Sequence, residues 1–169
     1  MQMSNSILDS GNRAKFSTGA VRDIQEDKGR CDLMPLHVVA RLLNKKHSYV
    51  LHEIENYKET KNAEYLYNAI QYFCKDEGIS LVDMMLEVSL HYRDGAEKYG
   101  EDNWKNGLPV KSYLSSAVRH LLKHIDGYKD EAHHRGFVWN IMSALWTITN
   151  KPELIDAPFN MEEEVEENE

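Results

Sequence analysis

Cysteine is nearly absent from this 169-residue chain, which has only Cys31 and Cys74. They stand in no Cys-x-x-Cys or Cys/His spacing, which excludes a zinc ribbon and a disulfide framework and points to a reducing compartment. No apolar run is long enough to span a bilayer, and the polar N-terminal residues do not read as a secretory signal. The cytoplasm is therefore the expected location and no membrane partner is expected. Positive charge is also short, with 20 Lys and Arg against 28 Asp and Glu and a net charge of −8. A concentrated basic face is missing, so duplex nucleic acid is not an expected partner. A mononucleotide whose charge a metal neutralises stays compatible. Alternating strand patterns never persist beyond a few residues, and no internal repeat is visible.

Helical periodicity is what the chain does have. With 41% hydrophobic residues it can bury one core without staples. Leu36, Val39, Ala40 and Leu43 keep helical spacing, and Val50, Leu51 and Ile54 either continue that helix or begin another. Ala63, Leu66, Ala69, Ile70 and Phe73 form a second stripe that ends near Gly78. Ser80 with Asp83 three residues on resembles a capping box, and the helix it opens, with Leu81, Met84, Met85, Val88 and Tyr92 on one side, is expected to stop at Gly95. Pro109 suits a first helical turn, followed by Tyr113, Leu114, Ala117, Leu121, Leu122 and Ile125 and a stop at Gly127. Asp130 is expected to cap a last helix with core residues Phe137, Val138, Ile141, Leu145 and Ile148.

The expected fold class is an all-α helical bundle with an irregular N-terminal arm and a disordered acidic tail. Residues 1–15 are read as a flexible N-terminus, 16–152 as a single helical domain, and 153–169 as the tail, which ends in the acidic run 162–169.

The densest chemical signal is the run from Asp94 to Gly107. Its glycines bracket two cations for phosphate (Lys98, Lys105), two aromatics for a base (Tyr99, Trp104) and a polar reader (Asn103), in a segment too glycine-rich for simple helix interior. The alternative is a plain connection in which Trp104 covers the core. Three further groupings sit on helices. Asp83, Glu87, His91 and Asp94 share roughly one quadrant, as a Mg²⁺ or Mn²⁺ site would, or as a solvated face would. His120 and His124 lie one turn apart beside Arg119, on the edge of an apolar face. His133 and Asn140 lie two turns apart along the last helix, next to Gly136 and Ala144, with Asp130 and Glu131 at its N-terminal end.

These residues support a resemblance. The strings Phe16-Ser17-Thr18-Gly19-Ala20-Val21-Arg22-Asp23 and Asp27-Lys28-Gly29-Arg30-Cys31-Asp32-Leu33-Met34-Pro35 resemble the opening of the phage and bacterial dATP/dGTP diphosphohydrolase family, a MazG-like all-α set. The similarity continues through Gly95-Ala96, Lys98-Tyr99-Gly100, Asn103-Trp104, Gly107, Arg119-His120-Leu121, Asp130-Glu131 with His133, and Trp139-Asn140, from about residue 16 to 149. The segment 37–80 reads as an inserted helical hairpin, and the EExxE signature of ordinary MazG-type enzymes is missing.

The resemblance implies metal-dependent hydrolysis of a purine deoxynucleoside triphosphate to monophosphate and pyrophosphate, in phage nucleotide-pool control and thus in a host cytoplasm. Mg²⁺ or Mn²⁺ is expected on Asp130 and Glu131 with Glu87 and His91, and Glu131, His133 and His120 are the expected catalytic residues. Arg22, Lys28, Arg30, Lys98, Lys105 and Arg119 are expected to hold phosphates, Tyr99 and Trp104 to stack the base, and Asn103 or Asn140 to read its edge. Apolar residues spilling past one face, such as Tyr65, Tyr67 and Tyr72, add the expectation of a homodimer or a tetramer with shared sites. The alternative is a protein that sequesters a nucleotide or defence signal without turnover. A helical adaptor acting through its tail needs neither nucleotide nor metal.

Overall fold

The computed structural model describes residue 11 and residues 13–23 and 27–160. The chain is the expected all-α bundle, of helices α1 (Leu36–Leu43), α2 (Val50–Thr60), α3 (Glu64–Glu77), α4 (Leu81–Tyr99), α5 (Val110–Ile125) and α6 (His133–Asn150). The most extensive packing is between α5 and α6, with α4 and α3 laid against α6, and α1 and α3 against α2. Leu114, Ala117, Val118 and Leu121 of α5 meet Phe137, Val138, Ile141 and Ala144 of α6 in one buried core, which follows from the 3.6-residue repeat of apolar positions on both helices.

Helix ends follow their capping chemistry, with informative departures. Ser80 Oγ accepts the Asp83 amide at 3.1 Å and starts α4. Gly78, at φ 69°, closes α3. Val50 opens a separate helix, because Asn44 (φ 45°) and His47 (φ 71°) take left-handed conformations that end α1 and turn the chain. The expected stop at Gly95 is corrected: α4 runs on to Tyr99 and ends at Gly100, whose φ of 93° supplies the break. A helical glycine costs only about 1 kcal/mol, which the packing of the surrounding turns overrides. The expected cap at Asp130 is likewise corrected, since α6 begins at His133 and its end carries no side-chain cap.

Before α1, β1 (Arg13–Lys15) and β2 (Val21–Asp23) pair antiparallel, with Ala14 opposite Arg22. The arm is therefore partly a hairpin, and it is fastened to a 3₁₀ turn at Asn103–Asn106. The Asn103 side chain accepts from Val21 N at 2.8 Å and donates to Val21 O at 2.9 Å, extending the edge of β2 as another strand would. Thr18 Oγ1 donates to Gly107 O at 2.6 Å. At the other end, residues 153–160, read as the start of the tail, pack on the bundle: Leu154 and Ala157 are buried, and the Arg30 guanidinium lies 3.8 Å over the Phe159 ring. The acidic run 162–169 and the first ten residues lie outside the described residues. No described helix is long and apolar enough to cross a membrane.

Candidate functional site

A cavity of about 810 Å³ opens between the hairpin, the 3₁₀ turn and helices α4, α5 and α6. Its aromatic wall is Tyr92, Trp104, Tyr113 and Trp139. Trp104 meets Tyr92 and Trp146 edge-on at 5.8 and 5.2 Å, so one residue of the wall holds the next.

The cationic side is Arg22, Lys28, Arg119 and Lys123. Arg22 is aimed by neutral groups: its guanidinium donates to Ser112 Oγ at 3.2 Å, Ser116 Oγ at 2.7 Å and Asn140 Oδ1 at 3.3 Å. Burial lowers its pKa. Arg119 donates to the Gly29 carbonyl at 3.0 Å. Burial and the nearby charges of Arg22 and Arg119 depress the Lys28 ammonium. Among the described residues Arg22, Lys28 and Arg119 form no ion pair, and three such positive groups facing one space favour an anionic ligand.

Asp23 lines the same cavity and is locked from behind, by Lys98 Nζ at 2.9 Å, the Tyr99 hydroxyl at 2.9 Å and Arg13 at 3.0 Å. Burial opposes its ionisation, but the hydrogen bonds from Lys98 and Tyr99 prevail and hold its carboxyl below the ordinary range.

At the far end, three donor atoms converge, one from α5, one from α6 and one from the bend just before α6. His120 Nδ1 of α5 is 3.0 Å from His133 Nδ1 of α6, and Glu131 Oε1 is 3.5 Å from the first and 3.6 Å from the second. Ligands bound about 2.1 Å from one divalent ion stand roughly 3.0–3.4 Å apart, so these side chains fit a metal with little movement. Burial, with His133 and Arg22 adding to it, depresses the His120 imidazole and favours its neutral form, the form in which histidine binds a metal. His133 Nε2 donates to Asp130 Oδ1 at 2.6 Å. A neutral His133 held by that bond turns its Nδ1 acceptor toward the cluster, the arrangement that an outer carboxylate gives in many metal sites. His120 and Glu131 line the cavity.

Several expected site residues lie elsewhere. Lys98 spends its charge on Asp23, and Lys105 is exposed and paired with Asp102 at 3.1 Å. Arg30 pairs with Asp32 at 2.7 Å outside the cavity. Glu87 is held by Arg135 at 2.7 Å and His134 at 3.2 Å, away from the His120 cluster. His91 does line the cavity, with its ring 5.4 Å from Trp139, but stands outside that cluster. Asp130 holds His133 at 2.6 Å and is not one of the converging three. Asn103 and Asn140 also line the cavity, but their amides serve Val21, and Gly136 O with Arg22. Tyr113, Ser116, Lys123 and Trp139 were not singled out for the site from sequence. Each sits on a helix whose periodicity shows only its inward face.

The fold and site define an all-α protein with an aromatic and cationic cavity beside a His/Glu/His cluster. Residues 78–157 match the family described as dATP/dGTP diphosphohydrolase, N-terminal. The motifs from Gly95 to Asn140 fall within this stretch, which spans α4 to α6, while the strings at 16–23 and 27–35, from which the resemblance was also read, and the segment from 37 to 77 fall outside it. No match was found among curated proteins or solved structures.

Proposed function

We propose that the cavity binds a purine deoxynucleoside triphosphate and hydrolyses it between the α- and β-phosphates. Water adds to the α-phosphorus, the bond to the bridging oxygen breaks, and the products are the deoxynucleoside monophosphate and pyrophosphate. The observation that carries this reading is that Arg22, Lys28 and Arg119, unpaired among the described residues, share one cavity with His120 and Glu131, which stand in contact with His133 behind them. The family match supports the same class of substrate.

In this mechanism Arg22, Lys28 and Arg119 bind the phosphate oxygens and spread the charge that builds on the leaving pyrophosphate. Trp104 and Trp139 flank the base. Asp130 fixes the His133 tautomer, and Asn140 with Ser112 and Ser116 fixes the Arg22 fork. A divalent ion, Mg²⁺ or Mn²⁺, held by His120, Glu131 and His133 would supply charge neutralisation and a more acidic bound water. Such turnover suits phage nucleotide-pool control in a host cytoplasm. Exposed Val38 and Leu42 on α1, and Leu81, Val82 and Leu86 on α4, support a homo-oligomer.

Incubation with dATP or dGTP and Mg²⁺ or Mn²⁺, followed by ion-exchange chromatography, tests the reading. Monophosphate and pyrophosphate are expected. Nucleotide retained but unchanged would replace the enzyme by a sequestering protein, and no retention would remove the nucleotide altogether.

A further inference from the structure

A second cluster lies away from the cavity, where the segment before residue 78 meets the helical core. His47 comes from the turn between α1 and α2, Glu77 is the last residue of α3, and His124 sits in the last turn of α5. His47 Nε2 is 2.6 Å from Glu77 Oε1, His124 Nε2 approaches the same oxygen, and one ligand atom from each of the three lies within 4.8 Å of the others. Phe73 backs both imidazoles, with ring centroids at 4.8 Å from His47 and 5.3 Å from His124. We propose that His47, Glu77 and His124 form a metal site for Zn²⁺ or a similar borderline divalent ion, which ties the 37–77 segment to the core.

Three observations carry it. The first is the donor set. Two imidazoles and one carboxylate suit Zn²⁺ and its neighbours, whereas Mg²⁺ and Ca²⁺ favour all-oxygen sites.

The second is an orphaned atom. The His47 side chain is 4% exposed, and its Nδ1 is buried without a hydrogen-bond partner. With the proton on Nε2, shared with Glu77, Nδ1 presents a lone pair toward Asp76 Oδ2, 3.6 Å away, which can only accept. A metal on Nε2 moves that proton to Nδ1 and turns the misfit into a donor facing Asp76, the outer-carboxylate arrangement that orients many metal-bound histidines.

The third is the field. The C-terminal ends of α3 and α5 converge on the cluster, and helix C-termini carry partial negative charge that favours a cation. The imidazole–carboxylate contacts must lengthen to roughly 3.3 Å around a tetrahedral ion. The Glu77 side chain, 27% exposed, has room to withdraw that far.

The site is independent of the proposed reaction, since none of its residues lines the cavity. It is tested on the full chain stripped with a chelator and titrated with ZnCl₂. In the His120→Gln/Glu131→Gln background, one Zn²⁺ per chain is expected by elemental analysis, with a rise in Tm of about 10 °C once zinc is near a thousandfold over Kd. Adding Glu77→Gln and His124→Gln should abolish both at unchanged far-UV circular dichroism. If that variant does not fold, histidine ¹⁵N spectra of the His120→Gln/Glu131→Gln chain decide: Zn²⁺ should move the Nε2 signals of His47 and His124. Zinc retained by the folded quadruple variant would overturn the proposal. So would signals that respond to pH and not to Zn²⁺, which would make His47 an imidazolium held between Asp76 and Glu77.

Discussion

Gly136 lies directly against the ring of His120: a Cβ at Gly136 would stand 2.8 Å from Cε1, Nδ1 and Nε2 of that imidazole. The glycine is helical and needs no special backbone, so its role is to leave room for a ring on the neighbouring helix. Gly136→Ala is therefore expected to displace His120 from Glu131 and His133. Helix propensity favours alanine by about 1 kcal/mol and the clash costs about 1–3 kcal/mol, so the net change in stability is small. Hydrolysis, measured with dGTP and Mn²⁺, should fall at least 100-fold. Full activity in the folded variant would take His120 out of the mechanism.

Arg22 and Lys98 make a contrasting pair. Arg22 has neutral partners in the fold, so Arg22→Met should leave Tm near its wild-type value while nucleotide affinity drops roughly 10- to 100-fold, the scale of charge-assisted hydrogen bonds worth about 1.5–3 kcal/mol. Lys98→Met strips a partner from the buried Asp23 carboxylate and should lower Tm instead. Calorimetry of both variants, with and without nucleotide, reads the two effects separately.

Trp104 belongs to the cavity wall and to an aromatic chain at once. Trp104→Ala should weaken nucleotide binding by about 1–3 kcal/mol, as for a base losing an aromatic platform. It should also cost about 1–2 kcal/mol of stability from the lost edge contacts to Tyr92 and Trp146. If only the stability changes, with affinity in the folded fraction intact, Trp104 is packing alone.

The His91 imidazole has its pKa pushed down to about 4 by burial, which Asp94 opposes and Arg135 and Arg22 assist. Its unfolded value is near 6.5. Above that value neither state binds the proton; between 6.5 and about 4 the unfolded chain binds it and the native chain does not, so stability falls as pH drops through this window. Each proton contributes up to about 1.4 kcal/mol per pH unit. His91→Gln should flatten the slope of stability against pH by up to that amount in urea titrations from pH 7 to 5. An unchanged slope would mean that His91 charges freely in the fold.

Helices were legible because their cause is local. The stripe Leu66, Ala69, Ile70 and Phe73, the Ser80 cap and the Gly78 stop each act within a turn or two of the chain. Part of the site was legible for a similar reason: Glu131 and His133 are near neighbours, and His120 stands on the edge of the preceding helix. What failed was the assignment of charge. Lys98 looks like a phosphate ligand beside Tyr99 and Gly100, yet Asp23, 75 positions away, neutralises it. Asn103 looks like a base reader, yet its amide is spent on the backbone of Val21.

The sequence by itself determined the class of fold, the helices and most of their ends, because apolar periodicity and capping depend on residues a few positions apart. Tertiary structure alone decided which polar groups share a cavity, which cations stay unpaired in it, and that His47 meets Glu77 and His124. Those outcomes depend on distances between elements, and a side chain's charge is available to a ligand only when no partner from another element has already reached it.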